Sequence, residues 1–184
     1  MGIFGGVALV AALVWLFVGK VGPSAAPVKA PPFREMVAVA RHRNTLVVGL
    51  GLAGAFSFYT AMTSWLPTYY NEVRGMSPEQ AGRMTGLLPF VGMLGTICGG
   101  VLAATVGRRR PFLLVTGVGM MVAGLGSFLA VGPWLLISVA VMGFFSWLYQ
   151  PSAFTLPMEL PGMTPQKLGV MLATSLGIGN LATF

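Results

Sequence analysis

Long apolar stretches, separated by short polar segments, make up most of the chain. A helix that crosses the hydrocarbon layer of a membrane needs about 17 to 25 mostly apolar residues, because lipid offers its backbone no hydrogen-bond partner. The pattern therefore predicts an all-α fold, a polytopic transmembrane helix bundle of about six spans. The last span is still apolar where the sequence stops, so we expect a truncated chain. The predicted spans are 3–19, 45–66, 84–106, 112–131, 133–150 and 168–184.

The first apolar stretch lies where a secretory signal peptide would lie. A signal peptide carries basic residues before its apolar part. Residues 1–6 have no charged side chain, and Lys20 comes after the run. We therefore interpret 1–19 as a transmembrane helix with a basic flank on its C-terminal side.

Two connections carry signals for the start of a helix. Ser77 offers a capping hydroxyl, Pro78 takes a position that needs no amide hydrogen, and Gln80 follows three residues after the cap. Thr164 and Pro165 repeat the hydroxyl and the proline before the last span. Both signals predict short, structured loops between spans.

Glycines recur at helical spacing inside the third span. Gly82 with Gly86, and Gly95 with Gly99, are each separated by about one turn. Small residues one turn apart let two helices approach closely in lipid. Glycine is also common in membrane helices for other reasons. We expect Gly95 and Gly99 to mark a close contact between helices.

Basic residues fall mainly in alternate connections between the predicted spans. Short cytoplasmic connections retain positive charge, so the odd connections are predicted to be cytoplasmic and Met1 to lie outside. The second and fourth connections hold only Arg74 and Arg83. The odd connections hold the other basic residues, which are Lys20, Lys29, Arg34, Arg41, Arg43, Arg108, Arg109, Arg110 and Lys167.

The first connection has two parts with different composition. Its four prolines favour an extended linker, and 33–43 then mixes apolar and basic side chains as a helix on a membrane surface does. We therefore predict a transmembrane helix at 1–19, a cytoplasmic linker with an interfacial helix at 20–43, and a transmembrane bundle at 44–184. His42, within the linker, is interpreted as a solvated residue or a proton relay.

Composition supports a membrane protein and excludes other classes. The chain is 55% hydrophobic and 8% charged, against roughly 25% charged in soluble domains. The net charge of +7 is spread thinly and forms no basic face with interleaved aromatics, so we expect no nucleic-acid partner. Cys98 is the one cysteine, which excludes a disulfide framework and a cysteine pair for a metal.

No arrangement for catalysis is visible in the sequence. The acids Glu35, Glu72, Glu79 and Glu159 all lie in connections. One histidine and one cysteine supply neither a convincing nucleophile–base pair nor a metal cluster. We expect a protein that is not an enzyme and that needs no cofactor.

The connection at 100–109 carries the most specific pattern. It resembles the loop signature of the major facilitator superfamily, G-x-L-[AG]-D-[RK]-x-G-R-[RK], which occurs after the second helix and, in weaker form, after the eighth. Ala104 and Thr105 replace the acid and the base of the signature, which favours the weaker copy. The matching positions are Gly100, Leu102, Ala103, Gly107, Arg108 and Arg109.

Two further segments are similar to the same family. Residues 65–77 are similar to the outer end of a seventh helix in several bacterial members, and 158–180 look like the connection between the tenth and eleventh helices. In this register the chain spans helices six to eleven, and the N-terminal half of the transporter is missing. The resemblance implies a secondary active transporter that moves a small solute, an organic molecule or an anion, across the inner (plasma) membrane by alternating access.

The glycine–arginine loop has two interpretations. The resemblance implies a gating loop at Gly100, Leu102, Gly107, Arg108 and Arg109. Gly107 permits a tight turn, and the arginines can bind helix carbonyls or lipid phosphates. A plain anchor of positive charge on the cytoplasmic side explains the arginines equally well.

The second span carries a stripe of hydroxyl and aromatic side chains. Phe56, Tyr59, Thr60 and Thr63 recur at helical spacing and share one face. Because the resemblance implies that this span lines a central cavity, we expect the stripe to bind the small-molecule substrate. Alternatively, the threonine hydroxyls bond to carbonyls of their own helix and the aromatics face the lipid bilayer.

The fifth and sixth spans supply the other candidate substrate-binding residues. Phe144 and Trp147 lie in the fifth span, and Ser175 and Asn180 in the sixth. An aromatic belt at the membrane interface explains Trp147 as well as a cavity does. Two other functions stay open, namely a membrane-embedded scaffold or assembly subunit without transport of its own, and a membrane enzyme completed by a partner chain.

Overall fold

The computed structural model describes residues 2–18, 32–105, 109–160 and 162–183, and these contain helices and turns without a strand. The all-α prediction is therefore confirmed for the described residues. The chain divides into two compact units, Met1–Ala30 and Pro31–Phe184. The first contains helix α1, Gly2–Val18. The second contains α2 (Phe33–Ala40), α3 (Arg43–Glu72), α4 (Pro78–Thr105), α5 (Arg109–Leu129), α6 (Pro133–Leu148), α7 (Gln150–Thr155), a 3₁₀ turn (Leu156–Glu159) and α8 (Pro165–Leu181).

All six predicted spans form helices. Four continuous helical segments are long and apolar enough to cross a membrane, and they are Arg43–Glu72, Pro78–Thr105, Pro111–Leu129 and Pro133–Glu159. The last segment combines α6, α7 and the 3₁₀ turn. The first and sixth predicted spans correspond to α1 and α8, which have 17 residues each and so reach the lower limit for a spanning helix.

The predicted helix starts are present at both positions. The Gln80 amide donates to Ser77 Oγ at 3.2 Å, and the Ser77 amide donates to Gln80 Oε1 at 3.3 Å. This reciprocal pair satisfies two amides that have no carbonyl partner within α4. The Lys167 amide donates to Thr164 Oγ1 at 3.4 Å at the start of α8. Both signals in the sequence are confirmed.

Helices α4 and α6 meet backbone to backbone along a line of glycines. A Cβ added at Gly95 would lie 2.2 Å from the Phe144 carbonyl oxygen, and one at Gly99 would lie 2.2 Å from that of Leu148. A Cβ added at Gly143 of α6 would lie 2.6 Å from the Leu88 carbonyl oxygen. The expected contact at Gly95 and Gly99 is therefore confirmed, whereas Cβ atoms at Gly82 and Gly86 would meet open space.

Helix α3 joins the bundle through its two ends. At its C-terminal end, the buried Tyr70 donates its hydroxyl to the Ser127 carbonyl of α5 at 3.0 Å. At its N-terminal end, Gly49 lies against Ile178 of α8. Apolar side chains from α3, α4, α5 and α6 form the core between these ends, and its fully buried members include Leu66, Leu88, Leu135, Val139 and Met142.

Candidate functional site

Tyr59 of α3 and Trp147 of α6 form an aromatic pair in the interior of the bundle. Their ring centroids are 5.4 Å apart and their planes make an angle of 86°, which is a favoured edge-to-face geometry. Tyr59 lies close to the middle of Arg43–Glu72, and Trp147 close to the middle of Pro133–Glu159. The structure thus brings together two predicted site residues from different spans, each near the middle of its helical segment.

A glycine makes room for the indole ring. A Cβ added at Gly92 of α4 would lie 2.4 Å from Trp147 Cδ1 and 2.9 Å from Nε1. Gly92 precedes Gly95 and Gly99 on the face of α4 that meets α6. The three glycines follow one another at about one helical turn, so Gly92 extends the predicted pair of Gly95 and Gly99. This spacing is the pattern in the sequence from which Gly92 could have been identified.

The indole N–H of Trp147 is buried and has no acceptor among the described residues. Buried polar groups normally have a hydrogen-bond partner, and an unpaired donor costs about 1 to 3 kcal/mol. The Tyr59 hydroxyl likewise makes no hydrogen bond to a described residue. Two rings in contact thus each carry a donor that has no acceptor among the described residues.

The α6 backbone is interrupted directly after Trp147. Helix α6 ends at Leu148, and α7 begins at Gln150. Pro151 has no amide hydrogen and cannot donate to the Trp147 carbonyl, which accepts from the Tyr149 amide instead. The break in the helix and the unpaired indole thus occur at the same level of the bundle.

The threonines of the α3 stripe use their hydroxyls differently. Thr63 donates to carbonyl oxygens of its own helix, with distances of 3.0 Å to Tyr59 and 3.1 Å to Thr60. Hydrogen bonding of the threonine hydroxyl to its own helix is the alternative interpretation of the stripe. Because its hydrogen is used in this way, the Thr63 hydroxyl could only accept a hydrogen bond from a ligand. Thr60 is half-buried and makes no side-chain hydrogen bond within the described residues.

Phe56 and Phe144 make apolar contacts within the bundle. A Cβ at Gly179 of α8 would lie 3.0 Å from Phe56 Cδ2, so the Phe56 ring packs on α8. The Phe144 ring contacts Phe145 edge-to-face with centroids 5.7 Å apart. The Phe56 ring thus packs between helices, the Phe144 ring contacts its neighbour on α6, and neither side chain adds a polar atom to the Tyr59–Trp147 pair.

The two candidates on α8 are separated from that pair. Ser175 is fully buried and donates to the Thr45 carbonyl at 3.2 Å, which ties α8 to α3. Asn180 is exposed, and its Nδ2 donates to the Leu176 carbonyl of its own helix at 2.8 Å. The eight predicted substrate-binding residues therefore do not form a single site within the described chain.

The predicted gating loop is described only in part. Gly100 and Leu102 lie on exposed faces near the end of α4, and Arg109 begins α5. Gly107 and Arg108, with the side chain of Arg109, lie outside the described residues. Their role as a gating loop stays a prediction.

An apolar cavity of about 360 Å³ lies between α3, α5 and α7. Leu52, Ala55, Met120 and Ala153 are among its lining residues, and Tyr149 is the aromatic one. None of the eight predicted substrate-binding residues lines it. No pattern in the sequence indicates this cavity, because its walls come from three distant segments with ordinary membrane-helix composition.

Comparison with known proteins identifies the family. The family model described as Major Facilitator Superfamily matches residues 1–184. The chain belongs to this superfamily. The match agrees with the resemblance carried by the glycine–arginine loop, and together with the long apolar helices it shows a multi-pass membrane protein.

Two bacterial transporters are similar to this member of the superfamily. The probable sulfoacetate transporter SauU of Cupriavidus necator is 27% identical over 163 residues, which are 84% of this chain and 37% of the relative. The probable nitrate/nitrite antiporter NarK1 of Thermus thermophilus is 30% identical over 98 residues, which are 53% of this chain and 22% of the relative. The chain thus spans less than half the length of either relative. No solved structure matches.

Proposed function

We propose that the chain forms one half of a secondary active transporter, which moves a small solute across the inner (plasma) membrane by alternating access. The observation that carries the proposal is the buried Trp147 N–H beside Tyr59, without a protein acceptor and near the middle of its helical segment. Transporter sites lie near the bilayer midplane between the two halves of the fold. A solute oxygen could accept the hydrogen bond that the Trp147 N–H does not make to the protein.

A small oxyanion is the solute class that fits these groups. An indole N–H and a phenol O–H both donate to oxygen acceptors. The four acids lie in α2, at the facing ends of α3 and α4, and in the 3₁₀ turn. None lies in the middle of a span, so no carboxylate of the described chain repels an anion beside the aromatic pair. The two relatives are named for sulfoacetate and for nitrate and nitrite, which are all small oxyanions.

The half described here lacks a cation beside the aromatic pair. An anion in a membrane needs a counter-charge, because a charge without one is costly in a medium of low dielectric constant. We propose that the other half of the transporter supplies the cation and closes the cavity. This chain by itself is then expected to show no saturable uptake in proteoliposomes.

The test uses the complete reading frame that encodes this chain, reconstituted into proteoliposomes, with sulfoacetate and nitrate as probes. Tyr59→Phe deletes one donor at nearly constant volume, and Trp147→Phe deletes the indole donor together with part of the ring system. Loss of a direct hydrogen bond costs about 1 to 3 kcal/mol, so each variant should raise the half-saturation concentration roughly tenfold to a hundredfold.

Trp134→Phe is the matched control, because Trp134 begins the same helix and its side chain is exposed. This variant should transport like the parent. If Trp147→Phe and Tyr59→Phe also transport like the parent, while Asn180→Ala abolishes binding, the substrate site belongs to α8 and the aromatic pair only packs.

A further inference from the structure

A polar cavity of about 640 Å³ lies at the end of the bundle where α3 and α8 begin. Its walls come from α2, from the first residues of α3, and from the loop and first turns of α8. Glu35, His42, Asn44 and Lys167 supply polar side chains, and Met171 is a buried apolar one. Neither Tyr59 nor Trp147 lines this cavity.

Buried hydrogen bonds fix the position of α2 beside this cavity. Thr45 Oγ1 donates to the Val39 carbonyl of α2 at 2.6 Å. The Thr45 carbonyl in turn accepts from Ser175 Oγ of α8 at 3.2 Å. Thr45 and Ser175 are almost fully buried, so water competes little for these bonds. The cavity is therefore built into the fold.

Lys167 in the cavity wall and three nearby arginines have no protein partner among the described residues. Lys167 is half-buried in the wall, and its ammonium group makes no ion pair or hydrogen bond to a described residue. Arg34, Arg41 and Arg43, on or beside α2, also lack such partners within the described chain. By contrast, Arg74 and Arg83 at the opposite end both bond to protein groups. Unpaired cations beside a cavity favour an anionic ligand.

The His42 ring adds a hydrogen-bond donor. Its Nδ1 accepts from the Asn44 amide at 3.3 Å, which caps the start of α3. In the neutral ring the proton therefore lies on Nε2, which is free to donate. Glu35 is the one acid in the wall, and it opposes an anion.

The surface of α2 indicates where the anion comes from. Phe33 is 79% exposed, and exposed Met36 accompanies it on a helix that also carries Arg34. Apolar side chains beside arginines are typical of helices at the lipid headgroup level. Basic pockets at the cytoplasmic ends of membrane helices bind anionic headgroups.

We propose that this cavity binds the phosphate of an anionic phospholipid, with Lys167 as the principal cation and His42 as a donor. The phosphate bridges α2 and α8, so the lipid holds the linker helix on the bundle. The proposal does not depend on the identity of the transported solute.

The experiment measures lipid retention by native mass spectrometry of the purified chain, with phosphatidylglycerol and phosphatidylcholine as probes. Lys167→Gln should weaken phosphatidylglycerol binding at least tenfold, because a charge-assisted hydrogen bond is lost. Glu35→Gln should strengthen it, because a repulsive charge is removed. Lys167→Arg should retain binding, and phosphatidylcholine should bind weakly to every variant.

Arg83→Gln is the matched control, because it removes the same charge at the opposite end and should leave binding within about twofold. Equal losses in Lys167→Gln and Arg83→Gln would overturn the proposal. Weaker phosphatidylglycerol binding in Glu35→Gln would also overturn it, because removing a negative charge should not weaken the attraction of the cavity for an anion. This outcome does not depend on whether Lys167→Gln folds. Displacement of the lipid by equimolar glycerol 3-phosphate would assign the cavity to a soluble phosphate.

Discussion

Arg74 is one of two basic residues in the connections that are predicted to face outward. Its guanidinium donates to the carbonyls of Phe128 and Ala130, at the C-terminal end of α5. It also lies over the rings of Tyr69 and Tyr70, at 5.8 and 6.0 Å from their centroids. A cation at the C-terminal end of a helix is favoured by the helix dipole. This local structural role explains an arginine on the side where few are found.

At the scale of this residue, we predict that Arg74→Ala destabilises the protein. Hydrogen bonds from a charged donor contribute about 1.5 to 3 kcal/mol each, and their loss should lower the melting temperature by several degrees, at about 2 to 4 °C per kcal/mol. Arg74→Lys should have an intermediate effect, because one ammonium group does not reproduce the planar fork of arginine. Thermal unfolding of the purified protein measures both.

Arg83→Ala provides the comparison for Arg74. Its one ion pair, with Glu79 one turn away, has both side chains more than 70% exposed, and such pairs contribute little. A melting temperature that falls as far in Arg83→Ala as in Arg74→Ala would show that Arg74 does not hold the end of α5.

At the scale of the element, the contact between α4 and α6 depends on the absence of side chains. A methyl group at Gly95 or Gly99 would overlap a backbone oxygen of α6, and backbone cannot move aside as a flexible side chain can. We predict that Gly95→Ala and Gly99→Ala each destabilise the bundle by about 1 to 3 kcal/mol or more, as overpacking does. Denaturant or thermal unfolding measures the change.

Gly86→Ala is the matched variant on the same helix, since its Cβ would meet open space. Alanine has the higher helix propensity, so this change should be neutral or stabilise by up to about 1 kcal/mol. Destabilisation by all three variants alike would mean that the helix itself, rather than its contact with α6, requires glycine.

The elements could largely be predicted from the sequence, because length and polarity decide whether a helix can lie in lipid. The cap at Ser77 and the glycine pair at Gly95 also followed from local chemistry. The site could be predicted only in part. The α3 stripe included Tyr59, which contacts Trp147, and its role in binding stays a prediction. Helical spacing does not say that Thr63 bonds to its own helix or that Ser175 is buried against Thr45. Those outcomes depend on which helices become neighbours.

At the scale of the whole molecule, we predict the orientation in the membrane. With Cys98 replaced by serine, cysteines placed at Ser24 and Thr164 should react with an impermeant maleimide only from the cytoplasmic side. A cysteine at Asn71 should react only from outside. The expected result rests on the uneven distribution of basic residues between alternate connections. Labelling of Ser24 from outside would reverse the proposed arrangement.

The glycine contact also limits how this half of the transporter can move. Over about one turn, from Gly95 to Gly99, α4 meets the backbone of α6 directly, so these contacts include no side chain that could change rotamer and absorb a displacement. Neither helix can rotate about its axis, or slide along the other, without separating the two backbones. Motion that begins at Thr105, next to the predicted gating loop, must therefore carry Trp147 with it. Opening and closing would then change the position of the indole in the membrane without changing its distance from α4.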